Sequence, residues 1–208
     1  MPDSLIICDG GVASLLACAI ESDRSAHPIM WCPPSITAEQ RAAVRRQSEF
    51  FGATHSPERI PNGDPGDPVE SQLRMLLDAA LVARARGGGE VIWPICTNPA
   101  PSGEGPDIET TARAVEQSLL VSQLVTLAGS GTPVRIRTPF ADLTERQLAD
   151  LILDMDLPVW LCSWWDGDAS PEREKWSRLL REAGWAGPLQ PPVVVPPRRT
   201  SPTSGDQP

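Results

Sequence analysis

The chain has 208 residues, 40% of them hydrophobic, and a formal net charge of −9 at pH 7. That length suits a single domain able to bury a core of its own. The acidic balance argues against binding along nucleic-acid backbones, which calls for a basic patch, and no apolar run approaches the ~18 residues of a membrane helix.

Ser4 to Cys8 (SLIIC) is a short apolar run bounded by turn residues, as expected of a strand buried on both faces. A helix over Val12 to Glu21 follows, then a strand over Pro28 to Trp31. Thr37 and Gln40 have the spacing of a capping box that opens a helix reaching Phe51. Gly52 stops it, and a short strand follows at Ala53 to His55. Ser56 to Pro68 is rich in Pro, Gly and Asp and reads as a loop. Val69 to Arg86 is expected to be helical, with Leu73, Leu76, Leu77, Ala80 and Leu81 on its inner face. Glu90 to Pro94 is a further buried strand, and Thr97 to Pro106 a second polar loop. Ile108 to Ala128 reads as a long helix with Ala112, Val115 and Leu119 inward. Val134 to Arg137 alternates as a strand, with Arg135 and Arg137 on its solvated side. Thr144 and Gln147 form a second capping box, opening a helix whose apolar face is Leu148, Leu151, Ile152 and Met155. Pro171 to Ala183 closes the pattern with Trp176, Leu179, Leu180 and Ala183 inward.

Strands alternating with helices predict an α/β fold, a single-domain parallel sheet flanked by helices in the Rossmann-like manner. The domain is expected over residues 1–187. Residues 188–208, dominated by Pro, Ser, Thr and charge, are expected to be a disordered or extended tail. The opening MPDSLIICDGG has no basic stretch before its apolar run, so no secretory signal is expected and the setting is expected to be cytoplasmic. The five cysteines, Cys8, Cys18, Cys32, Cys96 and Cys162, form no C-x-x-C pair and are expected to be buried thiols. His27 and His55 lack ligand spacing, so no metal site is expected from them.

The chemistry-bearing candidate is the first strand–turn–helix. In a parallel sheet, ligands bind beyond the carboxyl ends of the strands. Asp9, Gly10, Gly11 and Ser14 stand there, between strand and helix. Paired glycines let a backbone approach an anion, the helix start offers free N–H groups, and Ser14 adds a hydroxyl. The spacing is equally that of a plain strand-to-helix turn with Asp9 as cap.

At these residues the chain resembles the Ser-Gly-Gly-x-Asp-Ser pyrophosphate loop of the ATP-pyrophosphatase (adenine nucleotide alpha-hydrolase, PP-loop) superfamily. More narrowly, residues 4–166 are similar to the 7-cyano-7-deazaguanine synthase (QueC) family. LIICDGGVASLLACAIE matches its strand, double glycine and small-residue helix. VRRQSEFFGA matches its Leu-Gly-Ala helix end. VIWPICTNPAPSGEGPDIE matches its substrate loop and keeps Ser102, Gly103, Pro106 and Asp107. IRTPFADLTERQLADLILDMDLPVWLCSW matches its Thr-Pro, helix and Ser-Cys segment. The resemblance implies ATP and magnesium as cofactors. It also implies conversion of a 7-carboxy-7-deazaguanine to its nitrile for queuosine biosynthesis, with Asp9, Gly10, Gly11 and Ser14 cradling phosphate and Ser102, Gly103 and Asp107 facing the substrate.

The chain departs from that pattern at charged positions. Asp9 stands where the family has Ser, which sets a carboxylate against phosphate oxygens. Ala13 replaces the loop's Asp, and Glu70 replaces an Arg. The donors of the second-strand motif are missing at Cys32 to Thr37. Cys162 matches the first of four zinc cysteines, but none follows it, so zinc is not expected. The expectation is therefore a degenerate member of the family, with synthase activity lost and residual nucleotide, anion or partner binding. Two alternatives stand beside it: an ATP-dependent amidating enzyme with altered loop chemistry, and a structural subunit using exposed Trp164 and Trp165. A homo- or hetero-oligomer is compatible with each. At a helix start, Asp107 and Glu109 are expected to serve the macrodipole rather than catalysis.

Overall fold

The structure, a computed structural model, describes residues 4–24, 27–56, 68–96, 107–129, 133–165 and 170–187. Five parallel strands form one sheet: β1 (Ser4–Ile7), β2 (Ile29–Trp31), β3 (Thr54–Ser56), β4 (Glu90–Ile92) and β5 (Arg135–Arg137). Their spatial order is β3-β2-β1-β4-β5. The order reverses direction between β1 and β4, and such a switch point opens a crevice at the carboxyl ends of its strands.

Strand periodicity explains the two cores. Ile6, Met30 and Ile92 point to one face, while Leu5, Ile7, Ile29, Trp31 and Val91 point to the other. Because side chains alternate and both faces are covered, the central strands β1 and β2 read as apolar runs, while the edge strands β3 and β5 carry polar residues. The first face is packed by α1 (Val12–Arg24), α2 (Ala38–Phe51), α5 (Glu145–Asp154) and α6 (Pro171–Glu182). The second is packed by α3 (Pro68–Ala85) and α4 (Ile108–Leu127). This is the α/β single-sheet architecture expected of the sequence.

Local signals set the helix ends. Thr37 and Thr144 both close reciprocal capping boxes, with Gln40 and Gln147 as partners. Gly52 ends α2 in the left-handed conformation, φ 65°. Asp107 caps α4, accepting from the backbone N–H groups of Glu109 and Thr110. Ser170 caps α6 with Pro171 in its first turn.

Four expectations need correction. On α4 the buried residues are Ala114, Gln117, Ser118, Val121 and Val125, while Ala112, Val115 and Leu119 face outward. The sheet took the smaller residues because α4 lies close against α3 and β5. On α3, Leu76, Ala79, Ala80 and Ala83 are buried, and Leu73 and Leu81 are exposed. Arg137 is not a solvated edge residue, since its guanidinium lies 3.7 Å from buried Glu21 and 3.5 Å from Glu90. Trp164 and Trp165 are 3% exposed, so they offer no contact surface. They pack with Trp176 and Trp185, with Trp164 stacked on Trp176 at 6.5 Å and Trp165 edge-on to Trp185 at 5.7 Å. Cys162 is fully buried in the same core, beside the 3₁₀ turn Val159–Leu161 that no sequence pattern announced.

Among the described residues, no helix is long and apolar enough to cross a membrane. Residues 188–208, the expected tail, lie outside the described residues.

Candidate functional site

The loop after β1 is held from three sides. The Cys8 N–H donates to the Trp31 carbonyl at 2.8 Å, fixing the strand end. The Gly10 carbonyl accepts from the Ser163 N–H at 2.9 Å and from the Gln47 side-chain amide at 3.3 Å. Gln47 is fully buried on α2 and also donates to the Leu161 carbonyl, so one amide joins loop, helix and 3₁₀ turn. Gly10 has φ +75°, and a Cβ there would stand 2.6 Å from the Gln40 carbonyl and 2.9 Å from the Ala43 Cβ. Only glycine meets both demands, conformation and close approach.

The side chains of this loop bond to one another. Asp9 Oδ1 accepts the Gly11 N–H at 2.8 Å and the Ser14 hydroxyl at 2.7 Å. Ser14 Oγ in turn accepts the Asp9 N–H at 3.0 Å. Ser14 is buried, 1% exposed. A backbone N–H beside a glycine and a hydroxyl on the first helical turn are the donors a phosphate oxygen would use. Here a carboxylate oxygen of the same chain uses them.

Above the loop is a cavity of about 290 Å³ at the carboxyl ends of β1 and β4, near the lower end of the ~300–1,000 Å³ typical of small-molecule pockets. Asp9, Ala13, Trp93, Cys96, Glu145 and Lys175 are among its walls, and Glu172 joins them from α6. The Lys175 ammonium sits 2.8 Å from Glu145 Oε1 and 5.6 Å from the centre of the Trp176 ring. Among the described residues that line the cavity are three acids, Asp9, Glu145 and Glu172, and one lysine, Lys175, which is paired with Glu145.

The thiols nearby are poor nucleophiles. Burial, with Glu145 adding to it, pushes the Cys96 thiol up to about 11. Burial also raises Cys8 and Cys162 well above the ordinary thiol range. Cys32 and His55, brought together by neighbouring strands, have Sγ and Nε2 3.5 Å apart. Yet burial lifts Cys32 to about 11, and burial with Arg45 and Arg41 lowers His55. Both shifts favour the neutral pair over a thiolate–imidazolium pair.

Of the residues singled out from sequence, the structure brings Asp9, Gly10, Gly11 and Ser14 into one bonded unit. Asp107 does not join it: its carboxylate takes the Thr110 hydroxyl at 2.6 Å and the first N–H groups of α4. Those bonds hold its pKa below the usual carboxylate range. It acts as a helix cap. Ser102 and Gly103 lie outside the described residues. Sequence reading passed over Gln47, Glu145, Glu172 and Lys175. Gln47 had a signal, a polar residue on the stripe of Ala43, Val44 and Ser48 that α2 buries. The α5–α6 charges had none, because only packing carries them to the end of β1.

This geometry defines the class of protein, an α/β domain with a loop-and-helix cradle at its switch point. Comparison with known protein families finds no match to the chain, and comparison with curated proteins finds none either.

Proposed function

We propose that this chain is a degenerate relative of the pyrophosphate-loop enzymes, similar to 7-cyano-7-deazaguanine synthases. On this reading it has lost ATP-dependent synthesis and serves as a binding protein. One observation carries the reading: the Asp9 carboxylate accepts the Gly11 N–H and the Ser14 hydroxyl. The cradle is occupied from within. Ala13 on the same turn offers no carboxylate for magnesium, and Glu145 and Glu172 add negative charge to the cavity from α5 and α6. An active enzyme with altered chemistry would need Asp9 turned toward a metal, and its Oδ1 instead faces the loop.

Calorimetry with ATP and magnesium, paired with an assay for AMP and pyrophosphate, tests the reading. The wild-type chain is expected to bind ATP no tighter than about millimolar and to release no AMP. Asp9→Ser frees both donors and is expected to tighten binding roughly tenfold or more, given the strength of charge-assisted bonds to an anion. Tight wild-type binding with turnover to AMP and pyrophosphate would overturn the proposal. So would an Asp9→Ser variant that folds and gains nothing.

A further inference from the structure

A groove of about 770 Å³ runs between α4 and β5, away from the cradle. Val115, Leu119 and Leu127 line it from α4, and Val134, Ile136 and Pro139 from the strand side. Val134 and Ile136 are buried, whereas the three α4 side chains are exposed. Leu120 and Leu124 do not line it.

β5 is the edge of the sheet. Its odd residues bond inward to β4: the Arg135 N–H donates to the Gly89 carbonyl, and the Arg137 carbonyl accepts the Trp93 N–H, both at 2.8 Å. Ile136 therefore turns its backbone outward, as alternate residues of an edge strand do. Its N–H donates to Ser122 Oγ of α4 at 3.0 Å. Among the described residues, the Ile136 carbonyl and the Thr138 N–H have no partner, and both residues line the groove. The groove thus combines apolar side chains with one open acceptor and one open donor of the main chain. That combination suits an extended peptide; a helix has satisfied such groups internally.

The chain carries such a peptide in its own tail. Within residues 188–208, which lie outside the described structure, the one apolar run is Val193-Val194-Val195, with Pro191-Pro192 before it and Pro196-Pro197 after it. Three β-branched residues favour extended backbone, and the flanking prolines bar a helix while being tolerated on an edge strand. The described chain ends at Gly187, shortly after α6. There the Glu182 carbonyl accepts from the Arg146 guanidinium at 2.9 Å, and Arg146 stands in the first turn of α5, close in sequence to Pro139 of the groove. An extended chain gains ~3.3 Å per residue, so Val194 can stand up to about 23 Å from Gly187. A foreign strand would have to bind from free solution. A tethered one acts at an effective concentration on the order of millimolar, which favours the chain's own segment.

We infer that Pro192 to Pro196 of this chain dock in extended form in the groove between α4 and β5, as an added edge strand against Ile136 and Leu119. The inference stands on the groove and the tail, and is independent of what Asp9 does to nucleotide binding.

Nuclear magnetic resonance of the full chain tests it. The amides of Val193, Val194 and Val195 are expected to be ordered on the nanosecond timescale, read by the heteronuclear Overhauser effect. The Thr138 amide is expected to exchange with solvent roughly tenfold more slowly, or slower still, than in a Val193→Asp, Val194→Asp double variant. Those substitutions lie outside the described fold, so the domain itself is expected to be unchanged. Leu119→Glu, in the groove wall, is expected to release the valines into fast motion; should it fail to fold, the tail variant still decides the question. Valines that are as mobile as the end of the chain in the wild type overturn the inference. So does a groove whose resonances ignore the tail substitutions. Protection of Thr138 that grows with protein concentration, together with a doubled mass in sedimentation, also overturns it, because the groove would then hold the tail of a second copy.

Discussion

The two faces of the sheet are finished differently. On the first, α5 packs on α1 and α6 on α5, and Trp164, Trp165 and Trp176 belong to the same core. On the second, α3 and α4 cover the strands with small residues, Ala79, Ala80, Ala83 and Ala114, while the leucines of α4 remain in water. The same composition yields a sealed core on one side and a bare helix on the other. The difference teaches that helix periodicity states how many apolar residues a helix carries, not which neighbour they meet.

The contrast is sharpest for single large side chains. Trp164→Ala, deep in the first face, is expected to cost about 3–5 kcal/mol, read as a shift in the urea midpoint. Leu124→Ala, on the outer side of α4, is expected to change stability by less than ~0.5 kcal/mol in dilute protein. Equal losses at the two sites would break the comparison.

Gly10→Ala is next in size. The left-handed φ and the 2.6 Å approach to the Gln40 carbonyl together predict a loss of at least about 2 kcal/mol. Since Gly10 anchors the cradle to the first face, the ATP affinity gained by Asp9→Ser is expected to vanish in the double variant, which calorimetry checks.

Thr144→Ala removes the capping box of α5 and is expected to cost about 1 kcal/mol in thermal unfolding. A larger loss would mean that the cap also holds Glu145 and Lys175 at the cavity.

The smallest effect concerns pH. The His55 pKa is lowered by burial and by Arg45 and Arg41, so below the ordinary histidine value the unfolded chain binds more protons than the folded one. The stabilisation is complete above the ordinary value and is lost as pH falls through the folded value. A slight drop in thermal midpoint is expected between about pH 7 and pH 5, and His55→Asn is expected to flatten it.

Much of the fold was legible in the chain. Five strand segments, two capping boxes, the Gly52 stop and the order of elements follow from local preferences, which depend on neighbours in sequence. The strand ends moved by a residue or two, as at Thr54–Ser56, because pairing and not propensity sets where a strand stops. In the candidate site, Asp9, Gly10, Gly11 and Ser14 were visible as a group, since five consecutive bonds limit how far they can part. Lys175 and Glu172 were not, because they reach the cavity through the docking of α6 on α5.

By itself, then, the sequence determined the alternating elements, the parallel sheet, and a glycine turn at the head of the first helix. Tertiary structure alone decided that Asp9 turns inward onto Gly11 and Ser14, that the tryptophans near Cys162 form a core, and that the outer face of α4 stays uncovered. The physical reason is common to all three. Local dihedral preferences and periodicity act within a few residues, whereas burial and hydrogen-bond partners are fixed by segments that meet only once the sheet has formed.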